Sequence, residues 1–400
     1  MGLSAVAPGS SNSVVGSQGV TGYSQSPEEQ IQRALISYVN KHGGVNGRSL
    51  TPVFQYYNPN DSAPYDQQSQ ATCTALTEDK KVFAHLAIVS DLTFSACMEK
   101  HGTVGVETTE PGSAQASALA PGVFYPGDLN LTALSALEAD AFSVNGFFTK
   151  SSKIGVIQSD TADLDSARVH GLEAGLARHR LALSQVYRIT PVNSNSDAAL
   201  AIRDMLAAVL KFKSSGIDRV VFLIDRGGAS GPLQFMSDAE QQGYHPRYGL
   251  TTHDGPVALT GGNAPAAQLV GSVGVGFHPE QDVNVPAKDQ VSPAAASCLA
   301  ILRQAKITLA DAGQRGGALK YCEAVFFFVT VAKAAGTELT RSSFIRAGQS
   351  LGTAFSDPFN LKGAVLFAGA PNDGVNLWQS MSYVQACSCF RSSGAPTSLR

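Results

Sequence analysis

The sequence predicts an α/β protein built as two doubly wound, Rossmann-like lobes joined by a multi-strand hinge. Three observations carry this. Short apolar strands alternate with amphipathic helices, the pattern of parallel sheets covered on both faces. The alternation runs in two series, the second beginning at Lys153. The tail then breaks the rule, supplying helices and a hairpin after both sheets are complete, so the chain crosses between lobes more than once.

The first series opens at Ser26-Pro27-Glu28-Glu29, where Ser26 caps a helix, Pro27 takes its first position and Glu29 completes a capping box. Ile31, Ala34, Leu35, Tyr38 and Val39 form one apolar stripe at helical period. The glycines of 42–48 stop the helix, and 49–57 reads as a strand. Helices over 64–77 and 93–100 then alternate with strands over 82–89 and 103–106, and a helix over 131–145 follows Tyr125-Pro126-Gly127-Asp128. In the second series, strands are expected at 154–158, 182–187, 219–225 and 247–251, with helices at 164–179, 197–213 and 233–242. The tail holds a strand at 271–277, helices at 293–312, 318–336 and 341–351, and an antiparallel pair, 363–368 with 379–385, around Pro371-Asn372-Asp373-Gly374. The expected division is 1–124 plus about 256–355 for the first lobe, and 125–255 plus about 356–400, with the crossover hairpin, for the second.

Composition bounds the function. The 400 residues are 44% hydrophobic, which supports real cores. A net charge of −3 offers no basic field for nucleic acid. The longest apolar run, 324–332, is less than half of the ~20 residues that span a bilayer as a helix. Six cysteines, with no C-x-x-C among them, leave open buried thiols, two or three disulfides of an exported protein, or a metal site. Met1 is followed by no basic segment and no long apolar one, so no signal peptide is visible.

Motifs for catalysis are missing: no dinucleotide-binding G-x-G-x-x-G, Walker loop, H-E-x-x-H or G-x-S-x-G. What remains is the rule that open α/β sheets bind ligands beyond the carboxyl ends of their strands. Those ends carry short polar segments: 10–13, Val89-Ser90-Asp91, Glu107-Thr108-Thr109-Glu110, Gln158-Ser159-Asp160, Asp225-Arg226-Gly227-Gly228 and Thr252-His253-Asp254-Gly255.

Here a family resemblance enters. Glu29 to Asn40, then Gly43-Gly44-Val45-Asn46-Gly47-Arg48, a strand, and Asn58 to Asp61 resemble the start of the type I periplasmic substrate-binding proteins of ABC transporters, the leucine/isoleucine/valine-binding class. Glu78 to Ala84 with Val89-Ser90-Asp91 looks like the family's next unit. Lys153-Ile154-Gly155-Val156-Ile157, Asp218 to Leu223 and Gln241-Gln242-Gly243-Tyr244 fit its second lobe. The order of the elements covers nearly the whole chain.

The resemblance implies a binding protein and not an enzyme, with no cofactor and no metal. It would be a monomer outside the cytoplasm, capturing a small polar ligand for an ABC permease. It also implies a first strand ending at Gly2-Leu3-Ser4-Ala5, cut short at Met1, with a signal or lipoprotein peptide upstream. Ser90 matches the residue that holds a ligand α-carboxylate, and Glu107, Thr108 and Thr109 occupy the second carboxylate-binding loop. Asp91 joins this set, with helix capping as its alternative. Asp254 matches the group that holds the ligand ammonium, with an Asx turn as its alternative. Gln158, Asp225 and Arg226 would close over the ligand from the second lobe, with pairing of the last two to each other as their alternative. The acidic Glu107 and Glu110 depart from the family's pattern and argue against a standard aliphatic amino acid. His253 reads as a surface residue, Tyr125 as hinge packing and Trp378 as core. Within this frame Cys73 pairs with Cys97 and Cys298 with Cys322, each on successive helices, leaving Cys387 and Cys389 bonded or free. A sensor of the same fold, or an enzyme using the cleft, are the alternatives.

Overall fold

The fold is a computed structural model that describes residues 1–6, 27–57, 63–87, 91–224, 228–286, 290–369 and 372–399. In the first lobe the chain runs β1 (Gly2–Val6), α1 (Pro27–Lys41), β2 (Val53–Tyr57), α2 (Tyr65–Thr74), β3 (Ala84–Ala87), α3 (Leu92–Lys100), β4 (Val104–Glu107), α4 (Ala114–Ala118) and β5 (Val123–Phe124). It then enters the second lobe with α5 (Leu131–Val144), β6 (Ile154–Ser159), α6 (Ala162–Ala167), α7 (Ala174–Arg178), β7 (Gln185–Ile189), α8 (Asn195–Ser215), β8 (Arg219–Leu223), α9 (Ser230–Gln241), β9 (Arg247–Thr251), α10 (Pro256–Leu259), α11 (Ala266–Leu269), β10 (Val273–Gly276) and α12 (Pro279–Asp282). Helices α13 (Pro293–Gln304), α14 (Ala312–Ala334) and α15 (Arg341–Gln349) return to the first lobe, and β11 (Leu377–Val384) and β12 (Cys389–Ser398) finish in the second.

The first sheet has the order β2-β1-β3-β4-β5, all parallel. In the second, β7-β6-β8-β9-β10 repeats that order and β11 and β12 extend it antiparallel. Each sheet therefore reverses its winding beside its first strand, the switch point at which such sheets open a crevice.

Apolar periodicity explains the layers. Leu35 and Ile36 of α1 meet Phe327, Phe328 and Phe344 from the returning helices over Leu86, Val104 and Phe124 of the first sheet. Cys73, Leu76, Phe94 and Met98 cover its other face. In the second lobe Val209, Phe212 and Phe235 pack on Val220, Phe222 and Tyr248 from one side, and Phe142, Leu164 and Leu172 on Val156, Val221 and Val275 from the other. The caps follow sequence: Asp91 accepts from Phe94 N (2.8 Å), Asn130 from Ala133 N (3.0 Å) and Ser194 from Asp197 N (3.3 Å).

Two expectations are corrected. The hairpin pairs β11 with β12 around Gln385–Cys387, and the other neighbour of β11 is β10. Residues 363–368 make only isolated bridges, Ser356 with Ala364, Val365 with Val375 and Gly352 with Phe367, because they belong to a crossing segment. And β10 pairs with β9 in the second sheet, so the return to the first lobe comes after Gly276 and not near 256. The Ser26 cap lies outside the described residues.

The chain thus crosses three times, over 125–130, 277–292 and 350–376. The first and third crossings run side by side: Tyr125 N donates to Asn372 O (2.9 Å) and Gly374 N to Tyr125 O (3.0 Å). A Cβ on Gly374 would lie 2.2 Å from the Pro126 carbonyl oxygen, so only glycine fits that approach.

Three disulfides are formed. Cys73–Cys97 ties α2 to α3, Cys298–Cys322 ties α13 to α14, and Cys387–Cys389 spans the β11–β12 turn. A C298A/C322A double variant is expected to lose about 2–4 kcal/mol of unfolding free energy, read from denaturant titration against the oxidised protein; an unchanged midpoint would remove the staple from the account of lobe stability.

Candidate functional site

The carboxyl ends of the two sheets face each other, and the lobes touch at both rims of the cleft between them. At one rim α2 begins at Pro64 with no side-chain cap. Its first free amides are satisfied from the other lobe: Tyr65 N donates to Asn193 O (2.8 Å) and Asp66 N to Asn193 Oδ1 (3.1 Å). Asn193 caps a helix in trans. At the rim beside the first crossing, Asp163 of α6 accepts from Ser113 N (3.1 Å) and Ser113 Oγ (2.5 Å), Ser113 being the N-cap of α4. The cleft is closed.

Between these rims lies a buried polar interior. His253, after β9, reaches across with Nε2 2.8 Å from Asp128 Oδ1 and Nδ1 3.8 Å from Glu110 Oε1. Burial disfavours the imidazolium, but Asp128 and then Glu110 outweigh it and hold the group up at about 9. For Asp128 the order is the same: burial pushes its carboxyl up, and His253 brings it below the usual range. His278 carries no such charge. Burial takes it down to about 3, and its Nε2–H donates to Gly127 O at 2.6 Å. Gly127 N in turn donates to Glu323 Oε1 (2.8 Å), a carboxyl that burial raises well above its usual range.

The expected site residues fall as follows. Ser90, Asp225 and Arg226 lie outside the described residues. Asp91 caps α3 and also accepts from Ser69 Oγ (2.6 Å), so its carboxylate is engaged within the first lobe. Glu107 is fully buried at the end of β4, its Oε1 3.3 Å from His85 Nδ1. Thr108 is buried and Thr109 half-buried beside it. Gln158 is turned toward α6, donating to Asp165 Oδ1 (2.9 Å) and accepting from Arg168 Nε (2.8 Å). Asp254 accepts from Thr251 N (2.7 Å) and Oγ1 (3.1 Å), a capping box, and burial raises it to about 7. Glu107, Thr108 and Asp254 are thus brought to the cleft side of their sheets, whereas Asp91 and Gln158 spend their polar atoms on neighbouring helices.

Sequence reasoning missed His253, Asp128, Asp163 and Asn193. The turn residues around Gly127 marked Asp128 as a bend and nothing more. No local pattern marks Asp163 or Asn193, whose partners stand 50 and about 127 positions away.

Two outcomes follow from this geometry. Asn193→Ala removes one trans-cap, worth about 1 kcal/mol, so the Asp66 amide should exchange with solvent several-fold faster while core amides keep their protection. The pH dependence has a definite sign. His253 ionises near 6.5 when unfolded and near 9 when folded, so its stabilisation is whole below pH 6.5 and lost as pH rises through 9. Asp254 and Asp282, lifted by burial to about 7 and about 8, lose stability in the same direction. His278 has the opposite sign and acts below pH 6.5. His253 alone should therefore withdraw about 3 kcal/mol of stability between pH 6.5 and 9, with the two aspartates adding to the fall, and His253→Gln should make that limb shallower; a wild-type curve level across the window refutes the imidazolium.

No protein-family model matches the sequence, and no curated protein does. Solved structures match along the whole chain. One is a fatty acid ABC transporter substrate-binding protein from Thermomonospora curvata (15% identity, 100% of this chain and 90% of that one, TM-score 0.67). Another is a solute-binding protein of an ABC transporter from R. palustris in complex with 4-hydroxybenzoate (13%, 99% and 96%, 0.69). A third is a branched-chain amino acid ABC transporter protein from Thermus thermophilus with bound valine (13%, 99% and 95%, 0.71). The likeness is one of architecture, and by it this chain has the two-lobed fold of the type I periplasmic substrate-binding proteins of ABC transporters.

Proposed function

We propose that this protein is an extracytoplasmic solute-binding protein that captures a small polar ligand between its lobes and delivers it to an ABC permease. The observation that carries the reading is the cleft. Two sheets of identical strand order present their carboxyl ends to each other, and the lobes are held shut by hydrogen bonds that each side lends to the other's helices. Lobes joined by three adjacent crossings close by hinge motion around a ligand. Three disulfides support an oxidising compartment.

Within this reading Glu107, Thr108 and Asp254 supply polar contacts from the two lobes, joined by Ser90, Asp225 and Arg226 at the remaining strand ends. The lobes comprise 1–124 with 293–349, and 131–276 with 377–399.

The test is ligand binding. A panel of amino acids, amides, short-chain acids and aromatic acids should contain a member that raises the melting temperature, with a gain of about 2.7 kcal/mol at a hundredfold excess over Kd. The same member should be recovered unchanged. Turnover of the ligand would replace this reading with an enzymatic one, and a panel with no stabilising member would leave it without support.

A further inference from the structure

Glu107 occupies a position that asks for a partner the protein does not provide. It ends β4, at the cleft side of the first sheet, with a fully buried side chain. One carboxylate oxygen faces His85. The other, Oε2, has no hydrogen-bond partner among the described residues. A buried acceptor left so forfeits about 1–3 kcal/mol, and more for a charged group. Native folds keep such groups for a reason.

The surroundings say what kind of partner is missing. The phenol of Tyr125, held by Ser95 Oγ at 3.4 Å, lies among three carboxylates: Glu107 of its own lobe, Asp128 at the crossing and Asp163 of the second lobe. These raise its pKa after burial itself. Asp163 is met by Ser113, and Asp128 by His253. The cation of His253 is shared between Asp128 and Glu110, and the Arg168 guanidinium is spent on Gln158, Asp165 and Glu173. Among the described residues no lysine or arginine is buried, while acidic side chains are buried throughout both lobes and the crossings.

Resting on the solute-binding reading, we propose that the cleft takes a small organic cation whose protonated amine donates to Glu107 Oε2 in the first lobe. A carboxylate at that point would meet like charge, with the His85 imidazole already set against the other Glu107 oxygen and no buried lysine or arginine among the described residues. A neutral hydroxyl would fill the hydrogen bond and leave the acidic surplus uncompensated. An ammonium group does both.

Calorimetric titration and thermal shift test this with two probe sets: primary amines (putrescine, ethanolamine, L-leucine) and acids without an amine (4-hydroxybenzoate, isovalerate). An amine should bind the wild-type protein. Glu107→Gln should weaken it at least tenfold, with the melting temperature of the unliganded protein unchanged or higher, since the orphaned charge is gone. Glu107→Asp, which keeps the charge but withdraws it, should retain the preference for amines at lower affinity, and guards against a Gln variant that fails to fold. Binding of the acids alone, or amine affinity in Glu107→Gln within twofold of wild type, overturns the inference and leaves the solute-binding reading standing. If neither set binds, both fall together.

Discussion

Everything in this molecule that could move is referred to one contact, the parallel run of the first and third crossings at Tyr125 and Asp373. Its backbone bonds are continued by side chains. Asp373 Oδ2 accepts from Asn130 N (3.0 Å) and Asn130 Nδ2 (2.6 Å), and Asn130 then caps α5, the first helix of the second lobe. Asn372 Nδ2 donates to Pro121 O (2.7 Å) and Val123 O (3.0 Å), at the last strand of the first lobe. One pair of adjacent residues therefore grips the exit of one lobe and the entry of the other. That locks the two lobes together at one line, because the crossings cannot slide past each other without breaking buried bonds.

Around this line the protein keeps ionisable groups where most proteins keep apolar side chains. Asp128, His278, Glu323 and Asp357 are buried and His253 is nearly so, and of these only His253 and Asp128 are matched as ions. Burial raises Glu323 and lifts Asp357 to about 7, so these carboxyls hold their protons near neutrality. The network is only partly satisfied, since among the described residues His253 Nδ1, His278 Nδ1 and Asp357 Oδ2 have no hydrogen-bond partner. It specifies the crossing geometry more than it stabilises the fold, and it makes the closed state sensitive to protonation through a single interlobe group, His253.

The fold was legible where the signal is local. The stripe Ile31, Leu35, Val39 and the run 219–223 read as helix and buried strand because burial on one or both faces imposes a period on the chain. The Cys73–Cys97 and Cys298–Cys322 pairs followed once the helices were placed. The hairpin failed for an equally physical reason. Residues 389–398 (Cys-Phe-Arg-Ser-Ser-Gly-Ala-Pro-Thr-Ser) form an exposed edge strand, whose side chains need no alternation. Meanwhile 363–368 is apolar because it packs in a crossing, and apolar residues there look like a strand. The candidate site was legible only as strand ends. That His253 is buried follows from Asp128 and Glu110, which reach it from the other side of the cleft, and no window of sequence contains all three.

The closed cleft also constrains how strongly a ligand must act. The trans-caps at Asn193 and Asp163 involve amides and carboxylates that water satisfies when the lobes part, so each contributes about as much as a helix cap and no more. The His253 ion pair with Asp128 and Glu110 adds the larger interlobe contact, and a ligand shifts a balance between open and closed forms only by its differential affinity for one of them. A solute that completes a buried group present in the closed cleft has such an affinity by construction. Under the proposed reading, a cation at the unmatched oxygen of Glu107 would tie binding energy to closure at that one contact.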